Sequence, residues 1–406
     1  MVRSAGGAVS HLVALTSELI RILEKKNINF RINVIFAGKV GNKNLIQNVK
    51  RLDARVDVFE ANIYKQVKFP NSVLFPALAI KKDGLKRFRE LLKDSNIVIS
   101  RAPYGRGVAI AYWLALLLAK PKDAMLVEEY FGNPYWNLIE LDVMPLAQKL
   151  KASLVSLFDV SLSLALVCLF ADKVFVISDS EIRAIEKETF PLFKNFCVKK
   201  MVSLYPPIHQ AELRAPKKKG PFTFCTSGSF YPHQGYKDLA KLIYTMNELL
   251  GLEDKVKFKI MGPPIQASRL VKPLLEGFTN VEFGYETDRR RLYEVYASEC
   301  DAFLALYDPF KVYPFYGAPA KLADFVLFNK PIIVWKEKEY LRTIEYLTEK
   351  CDCLRVVSSF EELVEEAVRV IGEREGCECK VKDRSRSAAI LEEVVNEALR
   401  TGVAEK

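Results

Sequence analysis

The sequence predicts an α/β protein made of two doubly wound, Rossmann-like domains. Three observations carry this reading. Strand-like apolar runs alternate with helical patterns over most of the chain, a Pro- and Lys-containing break over 205–220 resets the alternation, and 406 residues of 50% hydrophobic content suffice for two ordinary cores.

In the first half, Gly6 and Gly7 form a glycine-rich loop feeding a helix whose apolar positions, Leu12, Leu15, Leu19, Ile20 and Leu23, recur at helical spacing. Strand-like runs follow over 33–38, 56–59, 97–100, 124–127, 173–178 and 199–203. Helical patterns lie between them over 107–119, from 144 through 171, and over 180–188. A doubly wound domain normally begins with a buried strand that delivers the chain into its first glycine loop, and only Met1 to Ala5 precede Gly6. The first domain is therefore expected to lack its first strand, with a reading frame that starts upstream as the favoured explanation.

After the break, strands are expected over 222–225, 256–261, 281–283, 302–306, 332–334 and 354–357, with helices over 237–250, 289–298 and 360–373. This divides the chain into an N-terminal domain over 1–204, a linker over 205–220 and a C-terminal domain over 221–385. A last helix within 386–406 is placed to pack back on the N-terminal domain.

The segment from Gly317 to Val334 reads as a loop, a short helix, a stop and a buried strand. Pro319 suits a first helical position, where its missing N–H costs nothing, and Asn329 with Pro331 makes the stop. Lys321 places a cation in the first turn, where the helix dipole is already positive, so an anion is its natural partner. Asp324 lies three residues on, an acceptor for hydroxyls, and the two together describe a phosphate and sugar pocket. The competing reading is a solvated ion pair worth a few tenths of a kcal/mol.

Lys plus Arg number 60 against 50 Asp plus Glu, a net charge of +10 that favours anionic partners. No basic and aromatic platform for nucleic acid is apparent, so nucleic acid is not an expected partner. No run has the length of a membrane span and the N-terminus lacks the layout of a signal peptide, which makes the cytoplasm the expected compartment. With three histidines, His-based metal chemistry is nearly excluded. The paired Cys351/Cys353 and Cys377/Cys379 have a closer spacing than zinc sites favour, so no metal is expected. A disulfide between the pairs would suit a hyperthermophile, and free thiols are the simplest expectation.

Several motifs in order resemble the retaining GT-B glycosyltransferases of group 1, or family 4. Gly6-Gly7-Ala-Val-Ser-His11 is similar to the family's Gly-Gly-x3-His helix start, and Ala171 to Ser178 to the strand and turn that close its first domain. Phe224 to Phe230 with Gln234-Gly235 is similar to the opening strand and Lys-Gly turn of the second domain. Ile260-Met-Gly262, Val281 to Tyr285, Leu292 to Tyr296, and Pro319-x-Lys321-x-x-Asp324 follow in the family's order. The resemblance covers nearly the whole chain.

It implies two domains facing across a cleft and transfer of a hexose from a nucleotide-sugar donor to a glycan or lipid-linked acceptor, with retention and without metal or cofactor. The donor would meet Gly6, Gly7, Gly228, Ser229, His233, Gln234, Gly262, Gly284, Tyr285, Pro319, Ala320, Lys321 and Asp324. Lys321 would face the diphosphate and Asp324 the ribose. Glu128 or Glu129, at a strand end of the first domain, would face the transferred sugar as a catalytic carboxylate, unless it is an ordinary strand-end acid. Arg101 and Arg106 would hold an anionic acceptor, or are surface charge around a loop. Tyr112, Trp113, Tyr135 and Trp136, as exposed aromatics beside basic charge, would suit peripheral attachment to the cytoplasmic face of a membrane.

The departures are in the charges. Ser229 and Gln234 stand where the family has Arg and Lys for the leaving diphosphate, and the first acid of its Glu-x7-Glu pair falls near Tyr316 or Gly317. Losing both cations would remove several kcal/mol of leaving-group stabilisation unless Lys321, Lys311 or Lys237 compensates. An alternative is therefore a non-catalytic GT-B protein that binds a nucleotide or another subunit. A nucleotide-sugar isomerase on the same fold is a third reading.

Overall fold

The computed structural model describes residues 7–38, 43–65, 75–102, 108–130, 146–154, 161–188, 197–204, 220–228, 235–262, 271–286, 288–307, 320–336, 338–373, 376–382 and 386–403. The N-terminal half runs α1 (Gly7–Lys25), β1 (Ile32–Phe36), α2 (Lys43–Lys50), β2 (Val56–Glu60), α3 (Lys82–Leu92), β3 (Ile97–Ser100), α4 (Ala109–Ala119) and β4 (Met125–Tyr130). It continues with α5 (Leu146–Leu154), α6 (Ser161–Phe170), β5 (Lys173–Val176), α7 (Asp179–Glu188) and β6 (Met201–Ser203). β3, β4, β5 and β6 form a parallel sheet in that order, and β1 and β2 pair in parallel, without a bond to that sheet among the described residues.

Strand alternation divides the core of this half into two faces. Leu126, Tyr130, Val174 and Val176 pack with Trp113, Leu116, Leu164 and Val167 of α4 and α6. Met125, Val127 and Phe175 point the other way, against Leu15 and Ile22 of α1 and Leu391, Val394 and Val395 near the C-terminus. All six residues of β4 are buried, as parallel strands covered on both sides require.

The C-terminal half runs β7 (Phe222–Ser227), α8 (Tyr236–Tyr244), β8 (Val256–Met261), β9 (Val281–Gly284), α9 (Arg289–Ser298), β10 (Ala302–Ala305), α10 (Ala320–Phe325), β11 (Ile332–Trp335) and α11 (Lys338–Leu347). β12 (Thr348–Cys351), β13 (Leu354–Val357), α12 (Phe360–Gly372), β14 (Cys379–Val381) and α13 (Arg386–Val403) complete it. Its six-stranded sheet has the order β13-β11-β10-β7-β8-β9, every neighbouring pair parallel. In chain rank that is 6-5-4-1-2-3, the doubly wound order with its switch point between β7 and β10. α13 packs against α1 and the first sheet.

Local chemistry explains several ends. Asp288 caps α9 by accepting from the backbone N–H groups of Arg290 and Arg291 at 2.9 and 3.3 Å. Ser359 accepts from the Glu362 N–H at 3.2 Å to start α12. Asn329 takes the left-handed conformation, φ 51°, that stops the turn after α10 before Pro331 admits β11.

Within the helical pattern expected over 144–171 the described residues are helical over 146–154 and 161–170, and Leu162 and Leu169 of α6 are 52% and 53% exposed. The structure corrects three expectations. The helix expected over 237–250 leaves α geometry at Thr245 and ends as a π turn through Leu249. Tyr112 and Trp113 are core residues, 8% and 0% exposed, because α4 is sandwiched against β4 and α6; they offer no surface for a membrane. Tyr135 and Trp136 lie outside the described residues. The cysteines are not free thiols: Cys351 joins Cys379 and Cys353 joins Cys377, because the β12 to β13 turn lies against β14. Cys168–Cys197 and Cys225–Cys300 complete four disulfides.

Candidate functional site

The second sheet ends in a row of glycines. β7 finishes at Ser227-Gly228, β8 at Met261-Gly262 and β9 at Gly284-Tyr285, and the ladder extends across them through Gly228 N–H to Met261 O (3.0 Å) and Gly262 N–H to Gly284 O (2.9 Å). Gly228 adopts φ 153°, open to glycine and rare for other residues. A Cβ on Gly284 would sit 2.5 Å from the Met261 sulfur. The result is a lip of bare backbone beside Tyr285, which is 43% exposed.

Gly235 is the most constrained of these positions. It caps α8 at φ 67°, and a Cβ there would fall 1.4 Å from the Leu306 carbonyl oxygen. The start of α8 is thus pressed onto the end of β10. This requires glycine both for its backbone angle and for the close approach.

Lys321 occupies the switch point. Its Nζ donates to the Ser227 carbonyl at the end of β7 (3.0 Å) and lies 4.3 Å over the ring of Tyr307, just beyond β10. The residue is 8% exposed, and burial pulls its pKa from 10.5 down to about 7. No described carboxylate contributes to that shift, so the i,i+3 ion pair with Asp324 does not form. α10 is only six residues long, so the positive character here belongs to the ammonium more than to a helix dipole.

Asp324 is turned to another task. Its Oδ1 accepts from the Tyr293 hydroxyl at 2.5 Å, which ties α10 to α9 through a phenol 1% exposed. The carboxylate is half-buried, on the same short helix as Lys321 but engaged with a different neighbour.

On the first sheet, Glu128 and Glu129 point to opposite faces of β4. Glu128 is fully buried and its Oε1 accepts from the Ala102 N–H at 2.9 Å, holding the chain that leaves β3. Beside it the Ser100 and Tyr112 hydroxyls lie 3.0 Å apart, and burial, with Glu128 second, pushes the Tyr112 phenol up. Glu129, 4% exposed, is in phase with Val127 and therefore on the α1 side. Arg101 is exposed just past β3. α1, which begins at Gly7, comes within 8 Å of α10, Cα to Cα, so the helix opened by the first glycine loop meets the helix carrying Lys321. Gly6, Arg106, Ser229, His233, Gln234, Lys311 and Pro319 lie outside the described residues, as does the side chain of Ala320. Lys237 is exposed in the first turn of α8.

No family model matches the chain, and no curated protein matches it in sequence. Solved structures do match it over nearly its full length. A glycosyltransferase from Rickettsia africae superposes at TM-score 0.52 with 14% identity, covering 98% of this chain and 91% of that one. A UDP-GlcNAc 2-epimerase from Neisseria meningitidis bound to UDP-GlcNAc gives 0.50 and 12%, covering 96% of each. An S. aureus TarM mutant in complex with fondaparinux, α-GlcNAc-glycerol and UDP gives 0.52 and 9%, covering 97% and 93%. The chain has the GT-B fold.

In this GT-B chain the Lys321 crevice belongs to the second Rossmann-like unit, and the α1 and Glu129 face to the first. A polar cluster links the units. Ser203 donates to Asp179, the Tyr346 hydroxyl donates to the other Asp179 oxygen at 3.3 Å, and Arg386 donates to the Tyr346 oxygen at 2.8 Å. The sequence reading missed Tyr307 and the Ser227 carbonyl as partners of Lys321. Tyr307 is visible only as the residue that ends an apolar strand run, and a backbone carbonyl carries no sequence signal.

Proposed function

We propose that this protein is a nucleotide-sugar-dependent glycosyltransferase that moves a hexose to a glycan or lipid-linked acceptor, with retention and without a metal ion. The observation that carries the reading is Lys321, a buried cation with no described anionic partner, held between the strand ends that define the switch point. A diphosphate is the anion that such an ammonium suits. It would bind beside the backbone lip at Gly228, Gly262 and Gly284, with the base toward Tyr285 and the Gly6-Gly7 turn closing from the first unit. As the glycosidic bond to the diphosphate breaks, Lys321 meets the charge left on the phosphate oxygens. This one ammonium takes the load that the resemblance assigns to the positions of Ser229 and Gln234.

Glu129 is the better placed of the two carboxylates to serve the transferred sugar, since it lies on the α1 side and Glu128 holds Ala102. Arg101 and Arg106 would receive an anionic acceptor. No described helix is long and apolar enough to cross a membrane. Work at the cytoplasmic face of a membrane suits a lipid-linked acceptor and the net charge of +10.

A second reading, sugar isomerisation at the same site, is favoured by the likeness to the Neisseria epimerase. Incubating the protein with a panel of nucleotide sugars, with and without glycan acceptors, separates the readings. Acceptor-dependent release of the nucleoside diphosphate supports transfer. An altered nucleotide sugar formed without acceptor supports isomerisation, and binding without turnover on every donor supports the non-catalytic alternative.

A further inference from the structure

Cys351, Cys353, Cys377 and Cys379 share one antiparallel ladder. Cys351 and Cys379 are direct partners in the pairing of β12 with β14, as are Lys350 and Lys380. The Asp352 N–H donates to the Glu378 carbonyl at 3.0 Å, which carries the same register past both strand ends and sets Cys353 opposite Cys377. Side chains two residues apart on an extended chain share a face, so all four sulfurs gather on one side of the ladder. The one-residue spacing is tight for a chelating turn, but on two paired strands it delivers four ligands without one.

The sulfurs are already close. The Sγ atoms of Cys351, Cys353 and Cys379 lie within 4.8 Å of one another, and Cys377 is bonded to Cys353. A tetrahedral zinc centre has Zn–S distances of about 2.3 Å and therefore sulfurs about 3.8 Å apart, so opening the two S–S bonds lets each pair spread toward that separation. The ligand backbones are held by bonds that involve no sulfur. Cys379 N–H donates to Asn329 Oδ1 at 2.8 Å, Cys353 O accepts from Ile332 N–H at 2.9 Å, and Glu378 N–H donates to Asp352 Oδ1 at 2.5 Å. These bonds tie the ladder to β11 and to the turn that follows α10.

Access sets these two disulfides apart from the others. Cys168, Cys197, Cys225 and Cys300 are at most 1% exposed, whereas Cys351 and Cys377 are half-buried. A dithiol therefore reaches the Cys351–Cys379 and Cys353–Cys377 bonds first.

We propose that, once reduced, Cys351, Cys353, Cys377 and Cys379 form a four-thiolate zinc site. Each disulfide takes two electrons and two protons from a dithiol, which closes to its own disulfide, and four thiols result. Zn²⁺ displaces the four thiol protons to solvent and forms four Zn–S bonds, a centre of net charge −2. Thiolate ligands in tetrahedral array select zinc over harder divalent ions. With sulfur at all four positions the ion has none open for catalysis, so it fastens β12 and β14 in place of the two disulfides. The centre takes no part in the proposed sugar transfer, and its test does not depend on the donor site.

The test starts from the oxidised full-length chain. After limited reduction with a dithiol and anaerobic desalting, samples with and without one equivalent of Zn²⁺ are alkylated in the folded state and mapped by peptide mass spectrometry. The expected result is alkylation of Cys351, Cys353, Cys377 and Cys379 that zinc slows at least tenfold at all four. One zinc per chain should survive a second desalting of the reduced protein and none that of the oxidised protein. Cys353→Ser/Cys377→Ser, reduced in the same way, should lose the retained zinc, and Cys168→Ser/Cys197→Ser should keep it. The mapping on the wild type stands without either variant. Zinc that protects none of the four thiols, or only one disulfide's pair, would overturn the inference. So would zinc that stays bound in Cys353→Ser/Cys377→Ser, or disulfides on this ladder that the dithiol does not open in the folded chain.

Discussion

The Lys321 ammonium donates to the Ser227 carbonyl oxygen at 3.0 Å, joining a side chain that follows β10 to the end of β7 across the switch point of the second sheet. The contact places a cation where the doubly wound fold receives ligands, and buries it without a described counter-charge. A carbonyl and an aromatic face compensate an ammonium only in part. The proposed diphosphate would supply the missing counter-charge.

That burial sets a pH dependence. The folded pKa of Lys321, about 7, lies below its ordinary 10.5, so between these values the unfolded chain binds more protons at this group than the folded one. Its contribution to folding stability rises with pH across roughly pH 7 to 10, with a slope of up to about 1.4 kcal/mol per pH unit. Comparing denaturant unfolding of the wild type and Lys321→Met over that range should show the rise in the wild type only. Equal slopes would remove the buried, titrating lysine.

Anion binding follows the opposite course. A bound diphosphate favours the charged lysine and so draws in a proton above pH 7, and its affinity should fall as pH is raised from 7 to 9. Calorimetry in buffers of different ionisation heat would detect the proton uptake.

Asp324 and Tyr293 form a second testable couple, with a hydrogen bond of 2.5 Å between α10 and α9. Tyr293→Phe should retain the fold, cost about 1 kcal/mol through the lost hydrogen bond, and weaken nucleotide binding by displacing α10. Asp324→Ala should abolish nucleotide binding if the carboxylate also reaches the ribose. Unchanged nucleotide affinity in Asp324→Ala would contradict that role.

Gly235→Ala should be among the most damaging substitutions available. The new Cβ meets the Leu306 carbonyl oxygen, a backbone atom, at 1.4 Å and requires φ 67°. A loss of about 2 kcal/mol or more is expected in urea unfolding, against about 1 kcal/mol or less for Gly372→Ala, where a Cβ meets nothing within 4 Å.

Thiol titration of the unreduced, denatured protein should find no free cysteine, since all four described pairs are joined. Cys225–Cys300 closes a loop of sequence separation 75, for which chain entropy gives about 4 kcal/mol. Replacing both cysteines with alanine should lower stability by an amount of that order.

The sheets were legible because parallel strands buried on both faces are continuous apolar runs, as in Val256 to Met261 and Ile332 to Val334. α3 and α11 went unread because their sequences, such as Lys-Asp-Gly-Leu-Lys-Arg-Phe-Arg-Glu-Leu-Leu, are dominated by charge, and their amphipathic faces show only against a sheet. The cysteine pairing was hidden for a related reason: Cys225 and Cys300 meet because β7 and β10 are neighbours, which sequence separation conceals. The Lys321 segment was read as a site, but its burial and its partners at Ser227 and Tyr307 arise from strand ends far away in the chain.

The most direct measurement is the affinity of the wild type and Lys321→Met for a nucleoside diphosphate and its sugar conjugates at pH 7, by calorimetry. The proposed site predicts wild-type binding that weakens by about 10²-fold or more in Lys321→Met while the variant stays folded and no less stable, because a buried ammonium has been replaced by an apolar side chain. Equal affinity in the two proteins, or binding by neither, would contradict the assignment of the Lys321 crevice as the donor site.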